Sequence, residues 1–165
     1  MKDRVDDLLE HWTTAIDDID PRCEGIVTRM QLLVRYLSEQ KAASLKGLGL
    51  QMWECASLHA LRRRGKPYAA GPTELAAELG VTGAAMTNRV DAMVRRGYVV
   101  RRYDRTDRRR SVVALTRRGV ALADRIIAEQ LEVETKLVGA LTDVQQDQLI
   151  ILLRRLMHVA DATKR

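Results

Sequence analysis

The sequence predicts a mainly α-helical protein that carries one small β-hairpin. Three observations lead to this fold class. Apolar residues recur at helical spacing over most of the 165 residues. Two short β-like runs, "YVVRRY" (98–103) and "SVVAL" (111–115), are joined by the charged loop "DRTDRRR". Two short helices separated by a tight turn stand directly before this hairpin.

Three helices are predicted ahead of "GKPYAAGP", a stretch whose glycines and prolines break the chain. We expect Asp20-Pro21 to end the first helix, and the glycine-bearing "LKGLGL" to follow the second. The predicted apolar runs cover 5–19, 26–37 and 51–64.

The next two helices are short and closely spaced. Pro72 stands at a first helical position, where the missing N–H of proline costs nothing, and Gly80 closes this helix. Thr82 is a suitable N-cap for the following helix, which Gly97 ends. The order helix, turn, helix, hairpin results.

Two long helices complete the chain. The first runs from Thr116 towards Ala140, and Thr142 with Gln145 matches a capping box at the start of the second. Their apolar stripes exceed what a small domain covers by itself, so we expect a homodimer. The predicted organisation is N-terminal helices in 1–49, a helix-turn-helix lobe in 50–115, and C-terminal dimerisation helices in 116–165.

The charge balance indicates a polyanionic partner. The chain has 28 Lys and Arg against 22 Asp and Glu, a formal net charge of +6. No stretch has the 18 or more apolar residues of a membrane span, and the first ten residues, "MKDRVDDLLE", lack a secretory apolar region. We therefore expect a cytoplasmic protein with no membrane partner.

The helix pair has the organisation needed to read double-stranded DNA. A helix-turn-helix braces one helix and presents the outer face of the second to the major groove. By helical spacing that outer face includes Asp91. Small residues at its start let backbone N–H groups approach phosphate. The predicted DNA contacts on this helix are Thr82, Gly83, Ala84, Thr87, Asn88 and Arg95.

The hairpin loop supports the same interpretation. A packed hairpin does not need four arginines at its tip, and their charges repel one another unless a polyanion is present. Such a tip can enter a narrow minor groove. The predicted contacts are Arg105, Asp107, Arg108, Arg109 and Arg110, with Asp107 orienting a neighbouring arginine. A solvated turn with surface ion pairs is the alternative.

The segment "GPTELAAELGVTGAAMTNRVDAMVRRGYVVRRYDRTDRRRSVVALTRRG" resembles the core of the multiple antibiotic resistance regulator (MarR) family. It includes the family's D-x-x-D-R-R wing motif and the "LT..G" that follows. The resemblance implies a winged helix-turn-helix core flanked by N- and C-terminal dimerisation helices. It also implies a homodimeric transcription regulator, usually a repressor, that binds a pseudo-palindromic operator and is released by a small aromatic ligand or an oxidant.

Within this family the chain is similar to a urate-responsive subgroup that has an extra first helix. The resemblance places Trp12, Arg89 and Arg101 on the subgroup's ligand-binding positions. Ala56 stands where the subgroup has an acidic residue, and Glu54 is two positions away. The implied effector is a small aromatic anion, with urate as one candidate. Helix packing for Trp12 and an ordinary ion pair for Arg89 are the alternatives.

The cysteines leave a redox alternative open. A sensor thiol needs solvent access and a low pKa, which Cys23 beside Arg22 could have, whereas Cys55 lies in an apolar stretch and is expected to be buried. The three histidines are far apart in sequence, so no metal site is predicted, and no cofactor is expected.

Other function classes find little support in the sequence. The motifs G-x-S-x-G, C-x-x-C and H-E-x-x-H are absent, so we do not expect an enzyme. A basic module that binds RNA or a membrane surface remains an alternative. The chain has no Phe and four Tyr, however, which leaves few platforms on which RNA bases could stack.

Overall fold

The computed structural model describes residues 2–103 and 111–163, and it has the predicted fold class: mostly helices, with a small antiparallel sheet. The chain divides into two compact units, one ending at Ile126 and the other beginning at Ile127. The elements are α1 (Arg4–Ala15), α2 (Pro21–Gly47), α3 (Met52–Arg62), β1 (Ala69–Ala70), α4 (Pro72–Glu78), α5 (Gly83–Arg95), β2 (Val99–Tyr103), β3 (Ser111–Leu115), α6 (Arg117–Val138) and α7 (Asp143–Ala162).

The junction between the first two helices differs from the prediction. α1 ends at Ala15, and Asp20-Pro21 begins α2 rather than ending α1. The Asp20 carboxylate accepts a hydrogen bond from the backbone N–H of Arg22 at 2.9 Å, and Pro21 lies in the first turn, where its missing N–H breaks no helical bond. An Asp-Pro dipeptide can end one helix or begin the next. Here the hydrogen bond from the Arg22 N–H to Asp20 caps α2, so the dipeptide begins α2.

α1 is attached to α2 by ion pairs. The Arg29 guanidinium donates to the Asp3 carboxylate at 2.9 and 3.0 Å and to Asp6 at 2.7 Å. Hydrogen bonds from Arg29 lower the pKa of Asp3; the backbone N–H of Asp3, and then Arg29, lower that of Asp6. Val5 is buried in this contact. The first helix is therefore fixed along the N-terminal part of α2.

The sheet has three strands in the order β1-β3-β2, and both pairings are antiparallel. The predicted hairpin is confirmed, with Val99 opposite Leu115 and Tyr103 opposite Ser111. The third strand, β1, was not predicted. It consists of two alanines inside the segment interpreted as a break, and two alanines carry no β-type pattern.

The core of the first unit lies between α3, α4, α5, α6 and the sheet. One face of α5 is fully buried in it, as the spacing of Met86, Val90 and Met93 predicts. Other large buried side chains come from the surrounding elements. They are Leu58, Leu61, Leu75, Val99, Val113 and Ile126.

The second unit contains the C-terminal part of α6 and all of α7. The predicted capping box is confirmed: the Thr142 N–H donates to Gln145 Oε1 at 2.9 Å, and the Gln145 N–H donates to the Thr142 hydroxyl oxygen at 3.4 Å. No α7 residue is buried. Its large exposed apolar side chains are Val144, Leu149, Ile150, Ile151, Leu152, Leu153, Leu156, Met157 and Val159. Within 2–103 and 111–163, no helix has the length and apolar character that a membrane crossing requires.

The start of α6 depends on a close backbone approach. The Thr116 hydroxyl donates to the Gly97 carbonyl oxygen at 2.8 Å and accepts from the Gly119 N–H at 2.9 Å. A Cβ on Gly119 would overlap the carbonyl oxygen of Tyr98. These contacts give the Thr and Gly of "LT..G" a structural role, because they hold α6 against the chain that enters β2.

We expect Gly119→Ala to lower the free energy of unfolding by at least about 1–3 kcal/mol, because the backbone must shift to admit the methyl group. Urea unfolding followed by circular dichroism measures the change. Gly47→Ala is the matched control, since an added Cβ there meets no atom within 4 Å. Equal unfolding midpoints for the two variants would contradict the proposed role of Gly119.

Candidate nucleic-acid interface

The turn between α4 and α5 sets where the second helix begins. Gly80 has a φ of +63°, a left-handed conformation that glycine adopts without strain. The Thr82 hydroxyl oxygen then accepts a hydrogen bond from the Ala85 N–H at 3.2 Å, which confirms the predicted N-cap. Because the apolar face of α5 is buried, the helix is fixed in one orientation about its axis, and its opposite face is exposed.

The outward face of α5 is small and polar at its start. Thr82, Gly83, Ala84 and Asn88 are exposed there, and Arg95 is exposed in the last turn. Thr87 is half-buried, and its hydroxyl donates to the Gly83 carbonyl oxygen at 3.0 Å. An added Cβ on Gly83 would meet no atom within 4 Å, so packing does not require glycine at this position.

Asp91, which helical spacing assigns to the outward face, is paired within the protein. Its carboxylate lies 3.7 Å from the Arg101 guanidinium. Arg101 also donates through Nε to the Ser111 hydroxyl oxygen at 3.3 Å and lies over the Tyr103 ring, 5.4 Å from its centroid. Arg101 therefore joins α5 to both strands of the hairpin.

The hairpin tip carries five of the predicted contacts, all of them outside the described residues. They are Arg105, Asp107, Arg108, Arg109 and Arg110. The strands on either side are described as far as the Tyr103–Ser111 pair. Arg102, on β2, is exposed next to this end of the hairpin.

The predicted ligand residues do not all come together. The Arg89 guanidinium lies over the ring of Trp53, 5.7 Å from its centroid, and both residues are half-buried. In the part of the chain that the structure describes, no ion pair to Arg89 occurs, and no hydrogen bond or ring contact joins Trp12 to Arg89 or Arg101. Trp12 is 43% exposed on α1. Trp53 was not predicted; it is the second of only two tryptophans, which is the one sequence signal it offers.

A second contact between α3 and the end of α5 was also not predicted. Glu54 is buried, and both of its carboxylate oxygens lie 2.7 Å from Nη1 of Arg96. Oε2 of Glu54 also accepts from the Gln51 N–H at 2.9 Å, at the start of α3. Arg96 further donates to the Gly49 carbonyl oxygen at 2.9 Å and lies over the Tyr98 ring. From the sequence, Glu54 was noted only because it lies two positions from Ala56, where the subgroup has an acidic ligand residue.

Arg62, the last residue of α3, and Arg64, just after it, form ion pairs inside the first unit. Arg62 contacts Asp124 at 2.6 Å, and Arg64 contacts both Glu74, at 2.9 Å, and Glu78. These pairs hold α3 to α4 and α6. The arginines in these pairs therefore stabilise the fold, and they differ in this from those on the outward face of α5.

Cys55 is buried, as the sequence predicts, and Cys23 is exposed. The Cys55 sulfur is 3.9 Å from Nε2 of His59. Burial, with smaller contributions from the charges of Lys41 and Arg63, lowers the pKa of His59. Over residues 2–103 and 111–163, no three His, Cys, Asp or Glu side chains form a group that could hold a metal ion.

Comparison of the sequence with known proteins finds a matching family model and a similar transcription regulator. Residues 48–110 match the model of the MarR family. The transcriptional regulator PecS of Dickeya dadantii is 29% identical over 154 residues, which cover 92% of this chain and 91% of PecS.

Solved structures share the fold. The YusO protein of Bacillus subtilis superposes with a TM-score of 0.73 at 19% identity, over 86% of this chain and 98% of YusO. A point mutant of MepR from Staphylococcus aureus, solved bound to an oligodeoxyribonucleotide, has a TM-score of 0.64 at 19% identity, over 82% and 97% of the two chains. Together, the matches show the winged-helix fold and a similarity to transcription regulators of the MarR family.

The variant Gly83→Ala tests whether Gly83 contacts DNA, because the substitution should not disturb folding. Alanine is the better helix former and meets no neighbour here, so we expect unfolding stability equal to wild type or up to about 1 kcal/mol higher. Affinity for duplex DNA selected by the wild-type protein should nevertheless fall, because the methyl group stands between the helix N-terminus and phosphate. Fluorescence anisotropy measures the affinity, with Gly47→Ala as the control. Undiminished binding by Gly83→Ala would remove Gly83 from the interface.

Proposed function

We propose that this chain is a MarR-family transcription regulator that binds a pseudo-palindromic operator as a homodimer, represses transcription, and releases the DNA when a small aromatic anion binds. It is not proposed to be an enzyme. The observation that carries the proposal is the two-sided recognition helix α5, with one face fully buried and a small, polar face outside.

In this proposal the start of α5 and the rest of its outward face contact DNA in different ways. The start of the helix, at Thr82, Gly83 and Ala84, approaches phosphate through backbone N–H groups. Thr87 and Asn88 meet base edges in the major groove, where an Asn amide can pair with adenine. Phosphate contacts hold the helix in place without reading sequence. They come from Arg95 and, at the hairpin tip, from the wing residues Arg105, Arg108, Arg109 and Arg110, with Asp107 orienting a neighbouring arginine.

The homodimer is proposed from uncovered apolar surface. α7 exposes nine large apolar side chains, and an apolar area of this kind on a soluble protein marks an interaction surface. Leu8 and Trp12 of α1 are exposed at four-residue spacing, and Ile16, the C-cap of this helix, is also exposed. We assign the helices of 1–49 and 116–165 to dimerisation and the lobe of 50–115 to DNA binding, so that two recognition helices meet one operator.

The proposed effector site centres on Arg89. Its half-buried guanidinium lies on an indole and forms no ion pair among the described residues, which suits a planar anion that stacks and pairs at once. Arg101 is the second cation, linked to α5 through Asp91. Urate remains one candidate. Ala56 provides no carboxylate for purine N–H groups, so other aromatic anions fit equally well.

The operator should be an inverted repeat with half-site centres about 10 bp apart, because a two-fold dimer presents its recognition helices one helical turn apart. Selection from random duplexes followed by footprinting would reveal the repeat. Sedimentation with the selected duplex should give two chains per site, and the free chain should be dimeric at micromolar concentration. A monomeric chain that protects an asymmetric site would contradict the proposal.

Arg89→Gln should raise the effector concentration needed for DNA release by tenfold or more, since it removes the charge that the anion meets. Purines, salicylate-like phenols and peroxide are the compounds to screen against the wild-type complex. Trp53→Ala should impair release more than Trp12→Ala, because Trp53 contacts Arg89 in the structure. Arg22→Gln, an exposed arginine of α2, is the charge control.

Release by an aromatic anion that is unchanged in both Arg89→Gln and Trp53→Ala would exclude this site. Peroxide release that Cys23→Ser abolishes would instead assign the protein to the redox-sensing class.

A further inference from the structure

An ion pair between the buried Glu54 carboxylate and the partly exposed Arg96 guanidinium connects the end of α5 to the first turn of α3. We propose that Glu54 and Arg96 are positioning residues that fix the orientation of α5 relative to α2, and so set the half-site spacing that the dimer accepts. This inference rests on the proposed function, because spacing has meaning only for two recognition helices on one operator.

Glu54 is the one charged side chain that is buried among residues 2–103 and 111–163, at 1% exposure. A buried carboxylate is tolerated only where it is paired and hydrogen-bonded. Here Arg96 supplies 2.7 Å contacts to both oxygens, and the Gln51 N–H supplies a third bond at 2.9 Å. Glu54 thus caps α3 and holds Arg96 with the same carboxylate.

Arg96 connects three segments of the chain. It is the C-cap of α5, and its Nη1 reaches the first turn of α3. Its Nη2 donates at 2.9 Å to the carbonyl oxygen of Gly49, in the short junction where α2 gives way to α3. The Tyr98 ring lies beneath the guanidinium, 5.0 Å from ring centroid to Cζ. The end of the recognition helix is therefore tied both to the junction and to α3.

The geometry of a guanidinium makes this connection directional. Its N–H groups are fixed in one plane, so the donors to Glu54 and Gly49 define an orientation, whereas a lysine ammonium would supply charge without direction. Turning α5 relative to the junction breaks both sets of bonds and leaves a buried carboxylate unpaired. α2 belongs to the proposed dimerisation helices, so the Arg96 bond to the Gly49 carbonyl oxygen, just after α2, ties the lobe to those helices, and Glu54 holds Arg96 in place for it.

Arg96→Lys tests the inference, because it keeps the charge and removes the fork. Glu54→Gln is the partner variant; its side-chain oxygen can still accept from the Gln51 N–H, but it has no charge. Arg62→Lys is the matched control, an arginine that pairs with Asp124 and lies over the Tyr68 ring, away from the junction. Affinity is measured on a single half-site and on inverted repeats whose half-sites are one base pair closer, optimal, or one base pair further apart.

We expect Arg96→Lys and Glu54→Gln to bind the half-site within about twofold of wild type but to lose tenfold or more on the optimal repeat. Their preference for the optimal spacing over its one-base-pair neighbours should largely disappear. Arg62→Lys should keep the wild-type preference. A purely structural role predicts a different result, namely a parallel loss on half-site and repeat with the spacing preference intact, and that result would overturn the inference.

Hydrogen exchange on the free protein gives a readout that does not need DNA. Amides of the junction, residues 48–51, and of the last turn of α5 should exchange at least tenfold faster in Arg96→Lys than in wild type or Arg62→Lys. Unchanged exchange would overturn the inference even if the operator is as proposed. A wild-type protein that shows no preference for an inverted repeat would instead overturn the proposed function, while the exchange result would still decide whether the pair orients α5.

Discussion

Burial of one face of α5 is the constraint on which the rest of the interface depends. Met86, Val90 and Met93 are fully buried in the core of the first unit, and this removes the rotational freedom of the helix. Because an α-helix places residues about 100° apart, fixing the inner face also fixes which residues lie outside. Asn88 and Gly83 are exposed for this reason. The apolar residues thus determine where the polar ones can act.

The arginines of this chain serve two purposes that composition cannot separate. A net charge of +6 indicates a polyanionic partner, but several arginines in the first unit are committed to the fold. Arg62, Arg64 and Arg96 pair with carboxylates of other elements, and Arg29 holds α1 to α2. The residues available to DNA are those left exposed after this pairing. Net charge alone would therefore overstate the basic surface that DNA can meet.

Local signals predicted the fold well because their physics is local. Pro72 in a first turn, Thr82 as an N-cap and Thr142 with Gln145 as a capping box need only neighbours within three residues, and the structure has all of them. Asp20-Pro21 was misassigned, since its local chemistry suits the end of one helix and the start of another. The contacts that the sequence did not reveal join residues distant along the chain. β1 forms only because its two alanines pair with the edge of β3. Trp53 contacts Arg89, which lies too far along the chain for sequence spacing to predict the contact.

The two contacts between α3 and α5 are related by geometry. Trp53 and Glu54 are adjacent in the first turn of α3, and their partners Arg89 and Arg96 are seven residues apart, two turns along one side of α5. The first turn of α3 therefore holds the recognition helix at two points on one line. At Arg96 the contact is an ion pair to both oxygens of a buried carboxylate, whereas at Arg89 it is a half-buried stacking interaction that a planar anion could share. Such an anion can change the orientation of α5 only if it binds two orientations of the helix with different affinities. The ion pair between Arg96 and Glu54 limits how far the helix can turn. The pair at Arg96 and the buried face of α5 therefore both oppose rotation of the helix within the first unit.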